Sequence, residues 1–393
     1  MDPSPPVGQA IPRDGAAVKI LHLHDSPRIR GGATRYLRLL LDRLQELGHE
    51  NALFCLDEAP GWAPRERAWR YPWARSALRR RLDFHAFHRP LARELRSWID
   101  RIRPDLVHLQ NWTPFRATVT PVLASSGLPV VMTVHDFGLL DPNPFGLDRS
   151  GPTGPIRRWL DRVSLASSRR RLMEMVDVFL CPSQALLDAL PFPPGKARLL
   201  RLPVPAFDPR PAPPGPLRLL FAGSLYRSKG LDLLLEALAA GPSEATLEVA
   251  GEGDQLQDLF QTSRTLGLAE RVRFLGRLGR ERMQEAFRRC HLVVLPSRVP
   301  ENSPFVLLEG GALGRPGAAT HLGGAPEILA PPDRGWTFPP EDPGALAEVL
   351  GAAAADPASC AERGAALNAW IRQNCDPAAH FDAVLATYRE LLA

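Results

Sequence analysis

The 393-residue chain lacks a long apolar segment, since no apolar run reaches the roughly 18 residues that a membrane-spanning helix needs. Its first residues, MDPSPPVGQAIPRDGAAV, also lack the basic and then apolar layout of a signal peptide. The five cysteines are odd in number and far apart, with neither a CxxC pair nor metal-ligand spacing, which argues against a disulfide framework. We therefore expect a cytoplasmic protein without membrane spans, in which residues 1–17 form a disordered tail.

Charge of one sign is not in large excess, because the net charge is only +5, but its distribution is uneven. Arginines crowd the stretch Arg65–Arg103, and a second basic stretch covers Arg157–Arg171. No aromatic–basic strand motif or zinc-finger spacing accompanies them, so nucleic acid is not an expected partner. High-GC codon usage would explain the arginines equally well. The functional alternative is attraction to an acidic acceptor or to anionic lipid on the inner face of the membrane. The aromatic residues among the first set of arginines are Trp69, Trp73, Phe84 and Phe87.

The length favours two domains, because a single core seldom serves 393 residues. Both halves repeat a short aliphatic run, a turn and a segment of helical period. The first run, Val18–His24, is followed by the turn Gly31-Gly32 and by leucines at helical spacing up to Gly48, where a helix commonly ends. Such alternation predicts an α/β protein with two doubly wound sheets. Further strands are expected at Asp105–Leu109, Pro129–Val134, Val176–Pro182, Leu217–Ala222, Ala245–Ala250, Val272–Leu275 and His291–Leu295.

A proline-dense stretch, Pro203–Pro216, divides the two halves, since proline cannot supply ladder hydrogen bonds. We therefore predict an N-terminal domain over residues 18–203, a linker over 204–216 and a C-terminal domain over 217–374. Residues 375–393 have helical period and no strand after them. We expect this last segment to be a helix that crosses back to the N-terminal domain.

Two glutamates at the start of a predicted helix give the strongest functional signal. Ser303 followed by Pro304 favours an N-cap and a first turn, which places Glu301 in the loop before the helix and Glu309 inside it. Free backbone amides at the helix start, such as that of Phe305, can bind polar ligand atoms. Carboxylates accept from hydroxyls while amides donate to anions. The pattern therefore indicates a polyhydroxylated ligand that carries phosphate.

Three further features lie where doubly wound folds bind ligands, at the carboxyl ends of strands. Gly223 permits a tight turn after one strand, and Lys229, six residues on, can give a point charge to a diphosphate. The Gly31-Gly32 turn precedes a helix start, which favours negative charge. His135 ends its strand and is expected in the same crevice.

The block Pro296–Glu309 resembles the E-x7-E motif of the retaining glycosyltransferases of family 4, and Gly323-Gly324-Ala-Pro-Glu327 follows at that family's spacing. The resemblance spans nearly the whole chain after residue 17. It implies the GT-B fold, in which two Rossmann-like domains face each other across a cleft. It also implies transfer of a sugar from a nucleotide-sugar donor to an acceptor. By this resemblance Glu309 holds the ribose hydroxyls, while Glu301 and the amides after it hold hydroxyls of the transferred sugar.

The same resemblance assigns roles to the weaker signals. Lys229 becomes the diphosphate ligand, and Arg227 compensates for Ser224, where the family often has an arginine. The backbone at Phe274 and Leu275 faces the nucleobase. The implied catalytic residues are His135, Glu301 and Lys229, and the implied donor-binding residues are Gly31, Gly32, Gly223, Arg227, Lys229, Gly251, Phe274, Leu275, Asn302, Ser303, Pro304, Phe305 and Glu309.

Other positions carry no assigned ligand role. His22 and His24 point to one face of the first strand, and we interpret them as packing or supporting residues. Ser183 resembles the family's strand-end serine, without a direct role. After Pro316 the family's usual β-branched residues are replaced by Gly317-Ala-Ala, which weakens that strand without removing a ligand.

The resemblance implies retention of the anomeric configuration by front-side attack, in which the leaving diphosphate takes the acceptor's proton. Neither a metal nor a cofactor is expected, and the chain has no DxD-type acidic pair near a strand end. The sequence identifies neither the nucleobase, nor the sugar, nor the acceptor. Two alternatives stay open. One is another reaction on the same fold, such as that of a nucleotide-sugar epimerase or a phosphorylase, and the other is a catalytically silent scaffold protein.

Overall fold

The computed structural model describes residues 17–24, 31–55, 87–110, 116–140, 168–209 and 211–393. Within them, two parallel sheets of six strands alternate with helices, so the predicted α/β class with two doubly wound sheets is confirmed. Residues 65–86 of the first basic stretch and 157–167 of the second lie outside the described residues.

Short aliphatic runs build the first sheet, because parallel strands are covered on both faces. Its strands are β1 Lys19–His24, β2 Glu50–Cys55, β3 Leu106–Leu109, β4 Val130–Thr133, β5 Val178–Cys181 and β6 Ala197–Leu199. They are all parallel and lie in the order β2-β1-β3-β4-β5-β6. The helices of this half include α1 Gly32–Glu46, α2 Arg89–Ile102, α3 Arg116–Ala124 and α4 Gln184–Ala189, and residues 168–175 are helical as well.

The second sheet repeats this arrangement. Its strands are β7 Arg218–Ala222, β8 Thr246–Ala250, β9 Val272–Gly276, β10 Leu292–Leu295, β11 Gly317–Thr320 and β12 Gly335–Phe338. They are parallel in the order β12-β11-β10-β7-β8-β9. The helices that follow are α5 Leu231–Ala240, α6 Leu256–Thr265, α7 Arg280–Arg289, α8 Phe305–Ala312, α9 Ala325–Leu329, α10 Pro343–Ala355, α11 Pro357–Asn374 and α12 Pro377–Leu392.

Three of these strands, β2, β6 and β12, were not predicted. All three lie at sheet edges, where burial is incomplete and a continuous apolar run is not needed. Strand β6 has only three residues, and none of them is buried. Strand β11 forms as well, although it consists of glycine, two alanines and threonine, because all four residues are buried between β10 and β12.

Helix α1 positions the N-terminal glycine turn. Gly31 is its N-cap and has extended backbone, with φ −160° and ψ 179°. The apolar face of the helix is anchored by Tyr36 and Leu40, which are fully buried. The helix stops where predicted, because Gly48 adopts φ +84°, a conformation that glycine accepts without strain.

The chain passes between the two halves more than once. Strand β6 ends at Leu199 and β7 begins at Arg218, and the amide of Val204 donates to the carbonyl oxygen of Cys375 at 2.9 Å. Helix α12 lies against the N-terminal half. Its Tyr388 hydroxyl is 2.5 Å from Nδ1 of His108 in β3.

None of the helices in the described part of the chain combines the length and the apolar character that crossing a membrane requires. The five cysteines are buried. Burial raises the pKa of the thiols of Cys181, Cys290 and Cys375 to about 12, so these cysteines are protonated packing residues at neutral pH.

Candidate active site

The glutamate motif lies at the carboxyl end of β10, where α8 begins. The helix starts at Phe305, and Pro304 is its N-cap, with extended backbone and no side-chain cap. The predicted start, with Ser303 as N-cap, is therefore one residue too early. The reason is that the carbonyl oxygen of Pro304 accepts from the amides of Leu307 and Leu308, at 3.1 and 3.3 Å, which leaves Ser303 outside the first turn.

Glu301 lies in the loop before α8, as predicted. Its carboxylate forms an ion pair with Lys229 and accepts from the hydroxyl of Ser297 at 2.6 Å. Its carbonyl oxygen accepts from the amide of Gly324 at 2.7 Å, so the backbone as well as the side chain is held. The structure thus brings Lys229 and Glu301 together at one point of the cleft, although they come from different loops.

Glu309 is paired across the cleft with Arg35 of α1. Burial raises the pKa of the Glu309 carboxyl, and the Arg35 guanidinium opposes this shift. The same guanidinium lies over the ring of Phe305, 5.5 Å from its centre. Sequence reasoning missed Arg35, whose only signal is its place one turn into the helix that follows the glycine pair.

Gly32 is the point where α1 meets α8. A Cβ atom at Gly32 would lie 2.7 Å from Cδ2 of Phe305, whereas one at Gly31 would meet nothing within 4 Å. The contact between the two halves therefore requires glycine at the second position of the pair only.

A second close approach shapes the turns after β7 and β8. A Cβ atom at Gly251 would lie 1.8 Å from the carbonyl oxygen of Gly223, while one at Gly223 would find ordinary space. The amide of Gly223 donates to the carbonyl oxygen of Ala250 at 3.0 Å. Glycine is thus obligatory at 251, and the edge of the sheet here is lined by backbone.

The loop that carries Lys229 is held by Arg298, a residue that no sequence motif marked. Arg227 to Lys229 form a single 3-10 turn, and the Arg227 side chain is exposed. The Arg298 guanidinium donates to the carbonyl oxygen of Arg227 at 2.9 Å and to both carboxylate oxygens of Asp232 at 2.6 and 2.8 Å. With its side chain only 6% exposed, Arg298 fixes the loop rather than serving as a mobile charge.

Phe274 and Leu275 end β9 at a bulge. Val249 lies opposite Phe274, but Ala250 lies opposite Gly276, so Leu275 is the extra residue. A bulge leaves its extra residue out of the strand ladder. Leu275 is therefore the position in this strand where backbone groups are released from sheet pairing.

His135 follows β4 and is partly buried. Its Nε2 lies 2.9 Å from Oε1 of Gln110, and its ring centre is 5.2 Å from that of Tyr36. Burial, together with the nearby His24, lowers the pKa of His135 to about 3. The imidazole is therefore neutral at physiological pH and can act as a hydrogen-bonding group but not as a cation.

His22 and His24 are buried in the first sheet, in agreement with their interpretation as packing residues. Nε2 of His22 lies 3.0 Å from Oδ1 of Asn51, and Nε2 of His24 lies 3.1 Å from the hydroxyl of Thr34. Burial lowers the pKa of both histidines to about 4.

Polar side chains of the C-terminal half also contact the N-terminal half behind the glutamate motif. Asn302 accepts from the hydroxyl of Ser183 at 2.5 Å and donates to the carbonyl oxygen of Val134 at 2.9 Å. Glu327 accepts from Arg201 at 2.9 Å and from the first amides of α4 at 3.1 and 3.2 Å. Asn302, expected to bind the donor, thus has its side chain engaged between the domains.

The arrangement offers fixed positive charge and backbone amides beside two carboxylates. Positive charge and amides can hold a diphosphate, and the carboxylates can hold hydroxyls. In the part of the chain that the structure describes, no group of three or more histidine, cysteine, aspartate or glutamate side chains could hold a metal ion.

Two family models match the chain. The model described as Glycosyl transferases group 1 covers residues 205–367, and that described as Glycosyltransferase Family 4 covers residues 30–225. The chain is 30% identical over 325 residues to D-inositol 3-phosphate glycosyltransferase 1 of Catenulispora acidiphila. The aligned region covers 73% of the chain and 72% of that relative. It is 28% identical over 301 residues to a glycogen synthase of Mycobacterium tuberculosis, over 72% of the chain and 66% of that relative's length.

Solved structures share the whole architecture at low sequence identity. Sucrose-phosphate synthase from Thermosynechococcus elongatus superposes with a TM-score of 0.79 at 20% identity, covering 95% of this chain and 98% of that one. HepE of Anabaena, in complex with UDP and glucose, gives a TM-score of 0.75 at 18% identity, covering 95% and 100%. At these identities the likeness establishes the fold.

Proposed function

The chain belongs to the glycosyltransferases of group 1 and family 4 and has the GT-B fold, and from this premise we propose that it transfers a sugar from a nucleotide-diphosphate-sugar to an acceptor with retention of configuration. The observation that carries the proposal is the convergence of three charged side chains, Lys229, Glu301 and Glu309, at the carboxyl edge of the second sheet. Glu309 contacts the other half through Arg35 of α1, and Phe305 of α8 lies against Gly32, where α1 begins.

A uridine nucleotide is the donor class that the relatives support. HepE of Anabaena has been solved with UDP and with UDP-glucose, and its chain has the same architecture. In our proposal Glu309 exchanges its ion pair with Arg35 for the ribose hydroxyls. The backbone at Phe274 and Leu275 then meets the base, because the bulge frees it from the ladder.

The diphosphate would be held by Lys229, Arg227 and the Gly31-Gly32 amides. Fixed positive charge and amides stabilise the negative charge that develops on the leaving group, which is electrostatic catalysis without a metal ion. Glu301 lies next to Lys229 and would hold hydroxyls of the transferred sugar. His135, being neutral, would position that sugar.

The proposed reaction is a front-side attack. The acceptor oxygen bonds to the anomeric carbon on the face from which the diphosphate leaves, while the bond between that carbon and the diphosphate oxygen breaks. The acceptor's proton passes to the departing diphosphate, so no side chain acts as general base. The products are the glycosylated acceptor and a nucleoside diphosphate.

Thermal-shift screening against UDP, GDP, ADP and their common sugars tests donor binding, because a ligand that binds the native state stabilises it by mass action. A saturating ligand at 100 times its Kd raises stability by about 2.7 kcal/mol. Lys229→Met should abolish the shift given by the best nucleotide. Lys19→Met is the matched control, because Lys19 lies at the amino end of β1, away from the carboxyl ends of the strands where the candidate site lies. Among the described residues its ammonium group pairs only with Glu50. An unchanged shift in Lys229→Met would remove the proposed diphosphate ligand.

Once an acceptor is found, proton NMR of the product decides the stereochemistry, and an inverted linkage would contradict retention. Donor hydrolysis by the purified protein would exclude a silent scaffold. Absorbance of a lysine-bound pyridoxal phosphate would instead point to a phosphorylase.

We further propose weak, salt-sensitive binding to anionic membranes on the cytoplasmic side, supported by α2. Its apolar face, with Leu91, Leu95 and Trp98, is buried in the N-terminal core, so only its charged face is exposed. The binding would therefore be electrostatic and would not insert the helix. Liposomes containing phosphatidylserine should bind the protein at low but not high salt. Replacement of three of its exposed arginines, Arg89, Arg93 and Arg96, by glutamine should weaken this binding. No binding at low salt would refute the idea.

A further inference from the structure

Gln110 is a buried polar residue that no motif singled out. It follows β3 directly, its side chain has no exposed surface, and its amide donates to the carbonyl oxygen of Leu23 at 2.9 Å. Its side-chain oxygen Oε1 lies 2.9 Å from Nε2 of His135. Its side-chain nitrogen is buried and has no hydrogen-bond partner in the described part of the chain. A buried amide donor without a partner is costly, so the residue is not explained by packing alone.

The contact between Gln110 and His135 determines where the imidazole carries its proton. A carboxamide oxygen can only accept, so Nε2 of His135 must donate. A neutral imidazole has a single N–H, which leaves Nδ1 as an acceptor. No hydrogen bond to Nδ1 is present among the described residues, and the ring is only partly buried.

In the part of the chain that the structure describes, the titratable groups that face His135 are uncharged at neutral pH. They are His24 of β1, His108 of β3 and Tyr36 of α1. Burial lowers the pKa of His24 to about 4 and that of His108 well below its usual value, and it raises the pKa of Tyr36 well above its usual value. Because no charged group among the described residues orients the ring, the hydrogen bond that His135 donates to Gln110 is the interaction that selects its tautomer.

We propose that Gln110 is a positioning residue that holds His135 as the neutral, Nε2-protonated imidazole, so that Nδ1 accepts a hydrogen bond from a hydroxyl of the transferred sugar. The part that concerns the sugar rests on the proposed glycosyltransferase function. The part that concerns the tautomer rests on the geometry of these two side chains alone.

Nitrogen-15 NMR of the histidine-labelled full chain tests the tautomer directly, with His135→Asn used to assign the signal. We expect His135 to show a protonated Nε2 and an unprotonated Nδ1 from pH 6 to pH 8. A protonated Nδ1 would mean that the carboxamide faces the ring with its nitrogen, and it would overturn the proposal. This measurement needs no donor, so it stands even if the protein proves not to use a nucleotide sugar.

The functional half is tested by the pH dependence of UDP-glucose hydrolysis in Gln110→Glu and Gln110→Leu. In Gln110→Leu the ring loses its orienting partner, and kcat should fall about 10- to 100-fold at every pH. In Gln110→Glu the new carboxylate and the His135 imidazole together bind one additional proton. When that proton lies on the ring, or on the carboxyl oxygen that then donates to Nε2, Nδ1 of His135 carries a hydrogen and no longer offers a free lone pair. Activity should therefore be low near neutral pH and rise as the pair loses its proton, which adds an acid limb that the wild type lacks.

Asn51→Asp supplies the matched control, because it places a carboxylate beside His22 through the same kind of amide–imidazole contact, 3.0 Å long, away from the crevice. This variant should show no new acid limb. An identical pH profile in Gln110→Glu and wild type, or wild-type kcat in Gln110→Leu, would overturn the positioning role. Absence of UDP-glucose hydrolysis and of UDP binding in the wild type would instead contradict the proposed uridine donor.

Discussion

Replacement of Gly32 by alanine should open the cleft between the two halves, whereas the same change at Gly31 should not. A Cβ atom at Gly32 would lie 2.7 Å from Cδ2 and 3.1 Å from Cε2 of Phe305, in the other half of the protein. The shorter distance is about 0.7 Å inside ordinary van der Waals contact. At Gly31 the new methyl group would meet nothing within 4 Å.

The size of the effect follows from the overlap. Forcing a methyl group into a packed contact costs about 1–3 kcal/mol, and here the strain can be relieved by separating the two halves. If UDP binds the closed arrangement, a penalty of that size weakens its affinity by about 5- to 150-fold. Gly31→Ala loses part of glycine's advantage as an N-cap, about 1 kcal/mol, but this cost falls on α1 alone.

Because both changes can lower overall stability, the assay must report on the cleft itself. Small-angle X-ray scattering should give a larger radius of gyration for Gly32→Ala than for Gly31→Ala, and calorimetry should give it the weaker UDP binding. Equal radii and equal UDP affinities in the two variants would refute the idea that Gly32 sets the approach of α1 to α8.

Glu327→Gln should speed hydrogen exchange at the amides of Gln184 and Ala185, because hydrogen bonds to a charged group contribute about 1.5–3 kcal/mol; unchanged exchange would contradict this. Gly351→Ala should raise stability by about 0.5–1 kcal/mol in a urea titration, since the site is helical and open, and a loss of stability would show hidden strain. The urea midpoint should fall as pH drops from 6.5 towards 4, because histidines bind protons in the unfolded chain while the buried histidines of the folded protein stay neutral. Each such histidine lowers the free energy of unfolding by about 1.4 kcal/mol per pH unit. A midpoint unchanged between pH 7 and pH 5 would contradict this; the histidines concerned are His22, His24, His135 and His380.

Much of the fold could be predicted because buried parallel strands need continuous apolar runs. The eight predicted strands are present, with bounds that differ by one or two residues. The strands that were not predicted lie at sheet edges. Ala197–Leu199, for example, forms a strand because it pairs with β5, although its own sequence lacks the continuous apolar run of a buried strand. Local rules also misplaced the start of α8 by one residue, since Pro304 keeps an extended backbone.

The spacing of residues in the sequence located the candidate site but did not predict which side chains contact each other there. The pattern placed Glu301 in a loop and Glu309 in a helix. Nothing local indicates that Arg35 reaches Glu309, because the pair forms only when the two halves come together. Arg298 lies three residues from Glu301, yet its role depends on Asp232, which the chain brings near only through the sheet.

Helix α12 has a consequence for synthesis on the ribosome. The N-terminal half is translated before α12, but Tyr36 and His108 in its core take their partners from that helix. Until α12 has been synthesised, the buried imidazole of His108 lacks the Tyr388 hydroxyl, and the hydroxyl of Tyr36 lacks the His380 imidazole. The nascent N-terminal half therefore stays incompletely packed until α12 has left the ribosome, and removal of α12 would damage a half of the protein that is distant from it in sequence.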